Sequence, residues 1–213
     1  MKPAIKEPLR PVYLILSNQP YGYSYALPYP AYADDYNAGR LCPVYRVNTF
    51  LIMVSGTSAA GEPKQQIFES MRFGVKQKSK WSLRHIDGMS RSQEHIITQW
   101  QPDYHGASDK ASEQGAWILD NNFYIRSGPD YPKDNHDMPT GSTDALEICG
   151  VNGFSTFNKY IIELSGTKET TYHDKLNDIA AAQNVKIRFM AMKKPKLGRP
   201  VNINVRSAQS ESA

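Results

Sequence analysis

Val44-Tyr-Arg-Val-Asn-Thr-Phe-Leu-Ile-Met-Val-Ser55 is the run whose reading decides the fold. β-Branched and aromatic residues dominate it, it holds no proline, and it ends at Gly56. Such a run reads as a central strand. Working outward, Val12-Tyr-Leu-Ile-Leu16 is a short buried strand, and Gln66 to Val75 alternates in part and reads as a second strand. Trp81 to Gly88 and Glu94 to Trp100 are further short strands. Trp117 to Pro129 reads as one continuous strand-like run, and Asp144 to Cys149 as a short strand. Val185 to Met192 alternates cleanly, so Val185, Ile187, Phe189 and Ala191 are expected on one face. Two segments break the pattern. Phe154 to Leu164 has apolar residues at helical spacing, with Ser155 or Asn152 placed to cap its start, and Tyr172 to Gln183 reads as a second helix. The class is therefore mainly β (α+β), with one or two packed helices.

No repeat and no clear linker divides residues 1–213, so one domain is expected. Residues 1–40 read as an extended arm rich in Tyr and Pro, because the prolines between Pro20 and Tyr32 block a helix. Wrapping over the protein's own core outweighs partner binding as the use of that arm. Residues 207–213 read as a disordered tail. Lys76 to Lys80 is a basic hairpin turn, and Lys193 to Arg199 is basic and broken by Pro and Gly.

With 213 residues, 40% hydrophobic and 22% charged, the chain has enough apolar material for a sizeable core. A net charge of +4 is too mild to argue for nucleic acid, and no basic-aromatic motif supports it. No run reaches membrane-span length. The two cysteines, Cys42 and Cys149, lack the CxxC spacing of a zinc site, and whether they pair is not legible from sequence. Met1 to Pro8 has no apolar signal core, so the chain is expected to be cytoplasmic, or exported by a specialised secretion system.

The chemistry concentrates between Trp117 and Ser165, around Gly141-Ser-Thr-Asp-Ala-Leu-Glu-Ile-Cys-Gly150. Strand alternation places Ala145, Glu147 and Cys149 on one face and Leu146 and Ile148 on the other. If the second pair points to the core, the first three face a cleft or solvent. A cysteine there becomes a nucleophile when a histidine takes its proton, and His136 is the histidine a folded-back loop would bring. The competing reading of Cys149 is a small inert core residue. Arg126 offers a two-pronged contact to a carboxylate or phosphate, with Ser142 and Glu147 completing a substrate-binding set. The competing reading of Arg126 is an ion pair with Glu147 or Asp144. His85, His95, His105, His136 and His173 have acidic neighbours but no metal-binding spacing, so neither a metal nor another cofactor is expected.

The phrases Phe123-Tyr-Ile-Arg-Ser-Gly-Pro129, Gly141 to Gly150, and Gly153-Phe-Ser-Thr-Phe157 resemble the catalytic region of L,D-transpeptidase-like proteins. The resemblance covers about a quarter of the chain. It implies a β-sandwich or barrel-like sheet and a cell-wall role, in which a cysteine attacks a peptidoglycan stem peptide through a thioester. Aligned on Leu146-Glu147, the family's Gly-Cys pair falls on Asp144-Ala145 and its histidine on Arg126. Both chemical residues of the family are thus replaced. Cys149 lies four residues beyond the nucleophile position, about 13 Å along a strand.

Two functions follow as expectations. One is a bacterial cell-wall protein, degenerate or with a shifted cysteine site at Cys149 and His136, and a candidate for delivery as a secreted effector. Its partner would be a peptidoglycan stem peptide. The other is a non-catalytic binding or assembly module, meeting a protein partner through the Tyr/Pro-rich arm or the basic Lys193–Arg199 segment.

Overall fold

Alternation of buried and exposed residues is kept over Val12–Leu16 and Val185–Phe189, and the pairing of the strands closes the sheet on itself. The computed structural model describes residues 7–29, 42–77, 84–104, 113–133 and 143–203. Its elements, in chain order, are β1 (Val12–Ala26), β2 (Pro28–Tyr29), β3 (Cys42–Thr57), β4 (Pro63–Met71), β5 (Phe73–Gln77), β6 (Arg84–Gly88) and β7 (Gln93–Gln101). There follow β8 (Ala116–Leu119), β9 (Tyr124–Ser127), β10 (Ala145–Ile148), helix α1 (Gly153–Ser165), helix α2 (Tyr172–Ala182), β11 (Val185–Phe189) and β12 (Pro200–Ile203). The strand order β1-β11-β7-β8-β9-β10-β4-β3 returns to β1 through the β1–β3 pairing, which makes a closed eight-stranded barrel. β12 adds to the far end of β3, and β2, β5 and β6 form a small separate sheet. Closure removes the open edges that a sheet of this size would otherwise expose.

Val12, Leu14 and Leu16 of β1 lie opposite Val185, Ile187 and Phe189 of β11, and all six are buried. The interior is completed by Phe50, Ile52 and Val54 of β3, Trp117 of β8 and Ile125 of β9. Helix α1 lies across one end of the barrel. Its Phe154 stacks on Trp100 of β7, its Phe157 meets Phe68 of β4 edge-on at 5.4 Å, and its Asn158 accepts a bond from Trp117 Nε1 at 2.8 Å. Leu164 packs beneath Gly56, where a Cβ would stand 3.3 Å from it.

Toward the other end of β1 lies Arg72, fully buried, at the break between β4 and β5. Its guanidinium donates to the carbonyls of Met89 at 2.8 Å, Ser17 at 3.2 Å and Met190 at 3.1 Å. The rings of Phe50, Phe73 and Phe189 surround it. Burial pushes its pKa down to about 10, so it remains a cation at neutral pH.

Val44–Ser55 is the core of β3, as expected, and both helices form where the apolar spacing placed them. Three expectations change. Gln66–Val75 is two strands in two sheets, because Arg72 turns inward and interrupts the ladder. Trp117–Pro129 is a hairpin, β8 and β9, turning at Asn122 with φ 60°. Asparagine tolerates that left-handed conformation. The supposed arm is, over Val12–Ala26, a barrel strand; Pro20 sits where the register to β3 shifts, a place that tolerates a missing N–H. Residues 207–213 lie outside the described residues. No helix among the described residues is long and apolar enough to cross a membrane.

Candidate functional site

β9 and β10 run parallel as neighbours, with Tyr124 opposite Ala145 and Arg126 opposite Glu147. Ile125, Leu146 and Ile148 belong to the core, so alternation sends Tyr124, Arg126, Ala145 and Glu147 to the outer wall. Arg126 and Ala145 thus share one face of two adjacent strands, and carry a guanidinium and a methyl group.

That face is not open, contrary to the expectation of a cleft or solvent. Glu147 is 0% exposed, Ala145 1% and Cys149 5%. Alternation decides which face a side chain takes, but not whether another segment covers that face. Part of the cover is Tyr104, from the turn after β7. Its ring tilts on Tyr124 at 5.1 Å, and the Arg126 guanidinium carbon lies 5.6 Å from its centre.

Glu147 is a buried carboxylate, which demands a partner. Arg126 Nη2 donates to Glu147 Oε1 at 2.7 Å, and Nη1 reaches the Tyr104 hydroxyl at 3.5 Å. The ion-pair use of Arg126 is therefore realised, with Glu147 as the carboxylate. Burial works against the arginine's charge, but Glu147, Tyr104 and Asp144 outweigh it and hold the pKa above the ordinary value. Burial also pushes the Tyr104 phenol up. Among the described residues, Arg126 Nε and the Ser127 hydroxyl are buried without a hydrogen-bond partner, while the Arg126 side chain keeps 17% of its surface in solvent. One donor of the fork is thus uncommitted on a side chain that solvent still reaches.

Cys149 is a buried thiol whose Sγ donates to the Glu147 carbonyl at 3.8 Å. It is packed within the core cluster. Gly128 passes so close that a Cβ there would stand 3.3 Å from the sulfur and 3.0 Å from Glu147 Cβ. Two further members of the expected site, His136 and Ser142, lie outside the described residues, as does His105. Of the other histidines, His95 is bound to Asp120 at 2.7 Å, and His173 accepts from Trp100 Nε1 at 3.4 Å. Among the described residues no group of three His, Cys, Asp or Glu side chains is placed to hold a metal ion.

The sequence pointed to Arg126, with Ser127 beside it, and to Glu147, and did not point to Tyr104 or Tyr124. Only the period-2 position of Tyr124 relative to Arg126 signalled either of the two. Tyr104 lies in a polar turn whose return to this face no local pattern encodes. No family model, no curated protein and no solved structure matches this chain.

Proposed function

We propose that the chain is a bacterial cell-wall protein with an L,D-transpeptidase-like ancestry that binds a peptidoglycan stem peptide through its carboxylate and does not cleave it. The observation that supports this reading is the Arg126 guanidinium: Nη2 on Glu147, Nη1 at the Tyr104 hydroxyl, Nε without a partner among the described residues, and 17% of the side chain in solvent. A guanidinium cannot serve as a general base, and alanine cannot attack a carbonyl. What Arg126 does offer is a cation that solvent still reaches at one edge, which a peptide carboxylate can approach. Cys149, buried in the core, lacks the access that a nucleophile needs.

Titration calorimetry with a synthetic stem tetrapeptide tests this. Binding is expected, with loss when the peptide's carboxylates are amidated. Arg126→Lys should weaken binding while keeping the charge opposite Glu147, because a lysine has no fork. Release of cleaved muropeptide, or a stem-peptide mass on Cys149, would overturn the non-catalytic reading. The alternative, a module working through Lys193–Arg199, has less support, since Lys194 is already engaged with Asp87.

A further inference from the structure

The three nitrogens of the Arg126 guanidinium are used unequally. Nη2 donates to Glu147 Oε1 at 2.7 Å, and Nε is buried without a partner among the described residues. Nη1 reaches only the Tyr104 hydroxyl, at 3.5 Å. That is the outer limit of a hydrogen bond, since N–H···O contacts cluster near about 2.9 Å. Tyr104 is nevertheless anchored where it stands. Its carbonyl accepts the Gly115 N–H at 2.8 Å, and its ring tilts on Tyr124 at 5.1 Å.

A phenol donates as well as accepts, and the Tyr104 O–H meets no acceptor among the described residues. Burial, with Asp144 and Glu147 behind it, holds the proton on Tyr104 against the pull of Arg126. Two donors 3.5 Å apart make a poor bond with each other and a good pair for a third atom. An anionic oxygen about 2.8 Å from each fits between them. Arg126 alone would hold such an anion weakly, because Glu147 already offsets its charge and Asp144 adds to the negative field. A second carboxylate at this guanidinium needs a neutral donor beside it.

We infer that the Tyr104 hydroxyl is that donor: with Arg126 Nη1 it grips one carboxylate oxygen of the ligand and sets the preference for a carboxylate over an amide. The inference rests on the peptide-binding reading above and adds to it a specificity-determining residue. An amide oxygen accepts weaker bonds from both groups and brings no charge to Arg126.

Calorimetry with the synthetic stem tetrapeptide on Tyr104→Phe tests this, because phenylalanine keeps the ring against Tyr124 and removes only the O–H. The dissociation constant is expected to rise by about tenfold. At saturating peptide, the wild type should show an ultraviolet difference signal in the tyrosine band, and Y104F should lack it. Urea unfolding checks that the variant is folded. Wild-type binding that responds to amidation, with Y104F binding equally tightly, overturns the role of Tyr104 and leaves the peptide-binding reading standing. So does a saturated wild type without a tyrosine signal, or a loss in Y104F shared equally by the free and the amidated peptide, which would mark a packing role. No binding by the wild type overturns both.

Discussion

Glu147 shows what one residue imposes on its surroundings. A carboxylate with no solvent exposure is tolerable only with compensating charge or hydrogen bonds, and Arg126 supplies both at 2.7 Å. Replacing Arg126 by Met removes the cation and leaves the carboxylate buried. The expected loss, read from urea unfolding, is about 3–5 kcal/mol. The double change Arg126→Met with Glu147→Leu should cost clearly less, because no buried charge remains; equal costs would mean that the pair carries little of this region's stability. Cys149 yields a companion expectation. At 5% exposure its thiol should react with iodoacetamide only after denaturation, and fast labelling of the native protein would reopen the nucleophile reading. Gly115 is bound by geometry rather than charge. It has φ 97°, and an added Cβ would stand 2.3 Å from the Trp100 ring. Gly115→Ala should therefore destabilise by about 2 kcal/mol or more, from backbone strain and overpacking together.

At the scale of the element, α1 is held at both ends by residues far from it in sequence. The Glu113 carboxylate accepts the N–H groups of Phe154 and Ser155, both at 3.1 Å. At the other end Arg10 donates through Nε to the Leu164 carbonyl and through Nη2 to the Glu163 carbonyl, both at 2.9 Å. An anion thus sits at the positive end of the helix and a cation at its negative end, while orphan backbone groups are satisfied at both. Glu113→Ala and Arg10→Ala should each cost about 1–2 kcal/mol in chemical denaturation, and their costs should add, because one helix length separates them. Strong non-additivity would argue against two independent caps. The helix itself was legible: Phe154, Phe157, Ile161 and Leu164 are its buried stripe. Its caps were not. Asn152 occupies the cap position in the left-handed conformation, φ 54°, and makes no side-chain cap bond, so the role passes to Glu113. A carboxylate 41 residues away leaves no mark in the local pattern.

At the scale of the whole molecule, the β-branched and aromatic content of Val44–Ser55 and the alternation in Val185–Phe189 made the β class readable, but closure was not readable. The ring closes through β1, which pairs β11 from the opposite end of the chain in parallel, and no local residue choice encodes that pairing. The break at Arg72 was hidden for the opposite reason, since a charged residue between apolar neighbours reads as a solvent-facing strand position until its carbonyl partners are known. The same long-range logic joins the small sheet to the segment after β11. Asp87 of β6 takes an ion pair from Lys194 and a second, at 3.5 Å, from Lys76. Burial raises the Asp87 pKa, but the Lys194 bond, the Gly88 N–H and Lys76 outweigh it and hold the carboxyl below its usual value. A depressed folded-state value means that the unfolded chain binds the proton more readily. The tie therefore contributes fully above the unfolded value of about 4, shrinks as pH falls toward the lower folded value, and is gone below it. Asp87→Asn should melt below the wild type at neutral pH, and the two melting temperatures should converge as the solution is taken down through pH 4 to strong acid. Curves that stay parallel throughout would mean that Asp87 does not tie the segment to the sheet.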